Sequence, residues 1–231
     1  PKYSAMYSKH DRYTQHYYGC ITAMDEQIGR LRATLAELGI ADNTMLWYCA
    51  DNGPEGNDSA PGRTGGLRGR KRSPYEGGVR VPGLLVWPNH VKAGLRTSMP
   101  CVTSDYLPTV LGCLQLAMPD DRPLDGVSLK PLLEGRMQMR QRPIGFESGR
   151  MATWVDDRFK LVASISQSRD RKSDSTLGTL GKFEIYDIVD DAGETKDVTA
   201  EHPEVVRRMS EALSAWRESC RRSVGGADYS G

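Results

Sequence analysis

Two stretches of this chain carry side chains whose types and spacing suit chemistry. In Leu46-Trp47-Tyr48-Cys49-Ala50-Asp51-Asn52-Gly53-Pro54 an apolar run stops at an acid, an amide and a glycine. A carboxylate and an amide carbonyl are hard oxygen donors, suited to Ca²⁺ or Mg²⁺ rather than zinc. Two donors fall short of the roughly 6–8 that Ca²⁺ takes, so others must come from elsewhere. The same residues also make a good turn with Gly53 at positive φ, and taken alone they read first as a turn. The second stretch is Leu67-Arg68-Gly69-Arg70-Lys71-Arg72-Ser73-Pro74-Tyr75-Glu76-Gly77-Gly78-Val79-Arg80-Val81-Pro82. Its glycines let backbone come close to a ligand. Lys71 is a compact cation that can meet an anionic oxygen as a point charge. A basic run seen alone reads equally well as a solvated face.

The elements around these stretches follow from periodicity. Tyr17, Ile21, Met24, Ile28, Leu31, Leu35 and Leu38 recur at three- and four-residue spacing, which predicts a helix over 11–38 stopped by Gly39. Residues 44–50 form a continuous apolar run, as in a strand covered on both faces, so Asp51 and Asn52 fall at its carboxyl end. A long Gly-rich loop over 51–74 follows, then a second buried strand over 83–87. Helices are expected over 104–114, with Ser104 as N-cap and Pro108 in the first turn, and over 128–133. Beyond residue 140, short strands are expected at 144–147, 152–155, 160–163 and 184–188, with 164–181 as a polar, mobile hairpin loop. Val206, Met209, Leu213 and Trp216 share one face of a helix over 203–222. That is a small antiparallel sheet with one closing helix.

The totals exclude some classes. A chain of 231 residues can bury a core, and its net charge of +1 gives no bulk pull toward nucleic acid or an anionic membrane. No apolar run approaches the roughly 18 residues of a membrane span. The five cysteines, Cys20, Cys49, Cys101, Cys113 and Cys220, form no CxxC, and at least four read as small core residues.

Taken together, the Ala50-Asp51-Asn52-Gly53 element and the Lys71-x-x-x-Tyr75-Glu76-Gly77-Gly78-Val79-Arg80-Val81-Pro82 element resemble the second half of a type I sulfatase of the alkaline phosphatase superfamily. The resemblance continues through TSDYLPTVLGCLQL, LDGVSLKPLLEG, FEIYDIVDDAGETKDV and HPEVVRRMSEALSAW, almost the whole chain. It implies an α/β fold: the C-terminal part of an alkaline-phosphatase-like mixed sheet sandwiched by helices (1–140), then a small antiparallel sheet with a closing C-terminal helix (141–231). It implies a sulfuric ester hydrolase, arylsulfatase-like, acting on a sulfated small molecule or glycan. Asp51 and Asn52 match the family's later pair of metal ligands, for Ca²⁺ with Mg²⁺ possible. Lys71 matches a sulfate-binding, catalytic lysine. The family's nucleophile is a Cys or Ser matured to formylglycine, which attacks sulfur as its hydrate; the metal polarises the sulfate, and lysine and histidine stabilise the charge that develops. Export to periplasm, exterior or lysosome is the family's habit.

Parts of the family pattern are absent. None of the five cysteines stands in Cys-x-Pro-x-Arg, and the early aspartate pair and a Gly-Lys-x-His segment are missing. His10 and His16 lack the expected context and read as surface residues. Ser59-Ala60-Pro61-Gly62-Arg63 formally fits Ser-x-Pro-x-Arg, but it lies after the Asp-Asn pair and reads as loop. Asp105, Asp120, Asp121 and Asp125 read as caps and turns. Asn57-Asp58-Ser59 is the single, weak glycosylation match. The chain is therefore expected to hold half a site, to need the N-terminal part of the same protein as partner, and to be inactive alone. Loops 53–66 and 164–181 are the candidates for shaping a pocket. Two other readings stand beside this one: a phosphodiesterase or phosphonate hydrolase of the same superfamily, and a non-catalytic binding homologue.

Overall fold

A computed structural model describes residues 2–118, 120, 122–166 and 178–229. They fall into two compact units, Pro1–Leu95 and Arg96–Gly231.

In the first unit a single turn, α1 (Lys2–Ala5), precedes the long helix α2 (Arg12–Glu37). Asp11 caps α2, accepting hydrogen bonds from the backbone N–H of Tyr13 (3.0 Å) and Thr14 (3.1 Å) and from the Thr14 hydroxyl (2.6 Å). These bonds, the Thr14 hydroxyl's foremost, hold the Asp11 carboxyl below its ordinary range. Gly39, at φ +69°, ends the helix as its position after the last apolar residue predicts, and the Ile40 N–H closes the turn on the Leu35 carbonyl at 3.0 Å. The short strand β1 (Leu46–Cys49) pairs antiparallel with β2 (Gly83–Val86), in register from Leu46↔Val86 to Cys49↔Gly83. One turn of helix, α3 (Glu76–Val79), enters just before β2.

The sequence predicts two strands buried on both faces, and here the structure differs. β1 is half-buried throughout, and Leu84 and Val86 of β2 are exposed. Each strand has only the other as sheet neighbour among the described residues. Helix α2 forms with its predicted stripe, of which Ile28 and Leu35 are half-buried and Tyr17, Ile21, Met24 and Leu31 exposed.

The second unit buries a core of its own. After a 3-10 turn over Thr103–Asp105 come α4 (Tyr106–Leu114) and one turn, α5 (Lys130–Leu133). Ser104 is thus inside the 3-10 turn rather than the cap of α4. Then β3 (Ile144–Ser148), β4 (Met151–Val155), β5 (Phe159–Ser166) and β6 (Thr179–Asp187) form an antiparallel meander in chain order, and α6 (Pro203–Val224) packs on it. Ala152, Leu161, Ala163 and Ile185 of the sheet and Met209 and Leu213 of α6 are fully buried. Gly145 of β3 is glycine because the Trp216 ring lies against it: a Cβ there would meet the indole at 2.6 Å. The small sheet with its closing helix is the one the sequence predicts. The expected 164–181 loop is shorter, because the ladder continues through Ile165↔Leu180 and Ser166↔Thr179; residues 167–177 lie outside the described residues. Backbone pairing extends a hairpin whatever the polarity of its side chains, so pattern alone misses these pairs.

The expectation of core cysteines is wrong. Cys20 and Cys101 are exposed, Cys49, Cys113 and Cys220 are half-buried, and all five are free thiols. Cys20 belongs to α2 and Cys49 to β1.

One polar cluster ties the second unit together. Asp105 is fully buried and accepts from the backbone N–H of Val102 (2.9 Å) and Val127 (2.8 Å). The Arg140 guanidinium forks onto the same carboxylate at 2.7 and 2.8 Å. Asp105 is therefore a cap, as its sequence context suggests, and also half of a buried ion pair. Of the other acids read as caps and turns, Asp120 accepts from the Arg122 N–H in a turn, Asp125 accepts from the Trp216 indole at 3.3 Å, and Asp121 lies outside the described residues. Removing one partner of a buried pair strands the other, so Asp105→Ala should destabilise the protein by about 3–5 kcal/mol. Urea unfolding followed by tryptophan fluorescence measures this; a loss below about 1 kcal/mol would contradict the role given to the pair.

Candidate functional site

The residues singled out by the sequence lie on two loops of the first unit, 51–56 and 68–78, laced together by backbone. The Gly53 N–H donates to the Gly78 carbonyl at 2.8 Å, and the Lys71 N–H donates to the Pro54 carbonyl at 3.2 Å. At Gly53 the expected reason for glycine is incorrect: its φ is not among the positive ones. Close approach is the reason. A Cβ on Gly53 would stand 1.9 Å from the Gly77 carbonyl oxygen. Gly77 and Gly78 are equally hemmed in, with Cβ positions 2.2 Å from the Gly69 carbonyl oxygen and 2.1 Å from that of Ser73. The Gly-rich segment thus packs backbone on backbone to place the Lys71 loop beside the Asp51-Asn52 turn.

Side chains then fix the basic run. The Arg70 guanidinium donates to the Glu55 carbonyl (3.1 Å) and to the Gly62 carbonyl (2.8 Å). The Arg68 guanidinium lies 3.7 Å from the centre of the Tyr75 ring. Arg72 donates to Glu55 Oε1 at 2.5 Å, and the Lys71 ammonium is 3.6 Å from Glu55 Oε2. The Arg72 hydrogen bond, with the Gly56 N–H next, holds the Glu55 carboxyl below its ordinary range. The basic run is therefore not simply a solvated face: Arg70 is tied inward and Lys71 is half-buried.

The Asn52 amide nitrogen donates to Asp51 Oδ2 at 2.6 Å. The two polar ends converge, and turning the amide over would set its oxygen beside the carboxylate. A carboxylate and an amide oxygen side by side fit a hard divalent cation as two of its ligands. Among the described residues no group of three or more His, Cys, Asp or Glu is arranged to hold a metal ion. The donor set fits as part of a site, not as a whole one.

A family model described as Sulfatase matches residues 1–116, half of the chain. This chain belongs to the sulfatase family. Steryl-sulfatase of Rattus norvegicus is 37% identical over 128 residues, 53% of this chain and 22% of that protein. A Formosa agariphila protein named Sulfatase is 29% identical over 240 residues, 93% of this chain and 42% of that one. The crystal structure of Ps i-CgsB in complex with k-i-k-neocarrahexaose matches with a TM-score of 0.79 at 25% identity, over 93% of this chain and 46% of that chain. The chain thus spans less than half the length of these relatives. The alkaline-phosphatase-like α/β arrangement expected from the family pattern is the one observed.

The remaining candidates of the sulfatase pattern sit elsewhere. His10 packs edge-on against Tyr18, His16 accepts from Arg12 at 3.5 Å, and both are exposed. Ser59 donates to the Asn57 side-chain oxygen at 2.6 Å within an exposed turn, which suits a loop residue. Sequence reasoning passed over Glu55 and Arg70. Their only signal was one acid next to Pro54 facing, 15 to 17 positions on, a run of bases, and no rule of spacing joins them. Because Gly53 admits no side chain, Gly53→Ala should push the two loops apart. Trypsin should then cleave the Arg63–Arg72 stretch faster than in the wild type, with the second unit still folded by circular dichroism; equal cleavage rates would show that the loops do not depend on this contact.

Proposed function

We propose that this chain supplies part of the active site of a sulfuric ester hydrolase acting on sulfated carbohydrates. The observation that carries the reading is the backbone lacing of the Lys71 loop to the Asp51-Asn52 turn at a strand's carboxyl end. In this reading Lys71 binds the sulfate and stabilises negative charge as the S–O bond breaks. Asp51 and Asn52 would hold a Ca²⁺ ion, with Mg²⁺ as substitute, whose chemistry is to polarise the sulfate. Glycine backbone around Gly69, Gly77 and Gly78 orients the lysine, so that little reorganisation accompanies reaction. The carbohydrate class is supported by the neocarrahexaose with which the matched Ps i-CgsB is in complex.

The remaining half of the site belongs, on this reading, to an N-terminal part of the same protein that brings the formylglycine nucleophile. The exposed apolar side chains Ile21, Met24 and Leu31 of α2 and Leu84 and Val86 of β2 support this, since such side chains suit an interface. Residues 1–140 would then be the C-terminal part of the catalytic α/β domain and 141–231 a small C-terminal subdomain. Export is proposed on family membership.

The test uses the complete protein and 4-nitrophenyl sulfate. Lys71→Ala should lower kcat/KM by roughly 10²–10³-fold, the scale of losing one stabiliser of developing charge. Asp51→Ala should weaken Ca²⁺ binding in calorimetric titration while leaving the fold intact. Unchanged turnover in the first variant would remove Lys71 from the site, and unchanged Ca²⁺ affinity in the second would remove Asp51. Hydrolysis of the ester by the 231-residue chain alone would overturn the view that it holds half a site.

A further inference from the structure

Glu55 has no part in the reading above, yet it is the carboxylate that meets the lysine's charge. Its two oxygens are divided: Oε2 lies 3.6 Å from the Lys71 ammonium, and Oε1 takes the Arg72 guanidinium at 2.5 Å and the Gly56 N–H at 3.1 Å. The loop holds it there, since Arg70 clamps the Glu55 carbonyl and Lys71 N–H clamps the carbonyl of Pro54 just before it. Lys71, Arg72 and Glu55 together carry one net positive charge. An oxyanion in hydrogen-bond contact with the Lys71 ammonium, about 2.8 Å away, lies within about 6.5 Å of Glu55 Oε2.

We infer that Glu55 is a specificity-determining residue that sets the Lys71 cradle for a singly charged tetrahedral oxyanion. The inference rests on Lys71 being the oxyanion-binding lysine. Sulfate monoesters and phosphate diesters carry one negative charge across the neutral range. A phosphate monoester carries nearly two above its second pKa of about 6. The second charge meets the fixed carboxylate of Glu55, whose attraction to Lys71 and Arg72 already takes up part of the cradle's positive field. At about 6.5 Å and an effective dielectric between about 20 and 80, that repulsion disfavours the dianion roughly 3- to 75-fold. Glu55 is half-exposed (side chain 55%), so screening by water and salt puts the effect near 3- to 10-fold. Shape cannot make this distinction, because sulfate and phosphate are both tetrahedral; charge can.

The experiment compares kcat/KM of the complete protein at pH 8 for 4-nitrophenyl sulfate, bis(4-nitrophenyl) phosphate and 4-nitrophenyl phosphate. Glu55→Gln keeps the shape and removes the charge. It should raise the phosphate-monoester-to-sulfate ratio about 3- to 10-fold and leave the diester-to-sulfate ratio unchanged. Arg72→Gln leaves Glu55 uncompensated on that side and should move the first ratio the opposite way. If Glu55→Gln does not yield folded protein, the Arg72→Gln ratio decides alone. Constant ratios in folded variants, with Lys71→Ala inactive, would overturn the role of Glu55 and leave the site reading standing. A Lys71→Ala variant that retains full sulfate turnover would instead overturn the reading beneath it.

Discussion

The contact between Gly53 and the Gly77–Gly78 backbone governs the chemistry-bearing half of this protein. A Cβ of residue 53 would stand 1.9 Å from the Gly77 carbonyl oxygen, so at this point the two loops meet through backbone atoms alone. Main chain against main chain leaves little freedom, and the Gly53–Gly78 and Lys71–Pro54 hydrogen bonds remove most of what remains. The short α3 turn serves the same end, since its two glycines let the Arg68–Ser73 carbonyls close over it. A lysine on a free loop would be a mobile charge; on this one it is held beside the strand end from which Asp51 and Asn52 project.

The two units solve the problem of burial differently. The second closes on itself: four strands and α6 enclose Met209 and Leu213, and the Asp105–Arg140 pair fixes the segment that leads into α4. The first leaves Tyr17, Ile21, Met24 and Leu31 of α2 and Leu84 and Val86 of β2 exposed. That asymmetry agrees with a chain spanning less than half of its relatives.

Much of this was legible beforehand because it is local. Helix α2 follows from spacing and from Gly39, α6 from the Met209–Leu213 face, and the four-stranded meander from short runs broken by turn residues. What was misread depended on distant neighbours. An apolar run reads as buried whether or not a covering layer exists, so β1, β2 and the cysteines read as core, whereas they are half-buried or exposed. The extension of β5 and β6 through Ser166 and Thr179 rests on backbone pairing that polar side chains conceal.

The site divides along the same line. Sequence alone determined which groups are present: a hard carboxylate and amide at a strand's end, a lysine within a glycine-rich segment, and no Cys-x-Pro-x-Arg. Those are facts of residue type and order, and type sets the chemistry available. Only the tertiary structure decided that Gly53 is needed for space rather than for φ, that Glu55 stands between Lys71 and Arg72, and that Arg140 completes Asp105. Each of these joins residues some 15 to 35 positions apart. The physical reason is that a Coulomb or steric contact depends on distance in space, and the chain's path through its folded backbone, not its spacing in sequence, sets that distance.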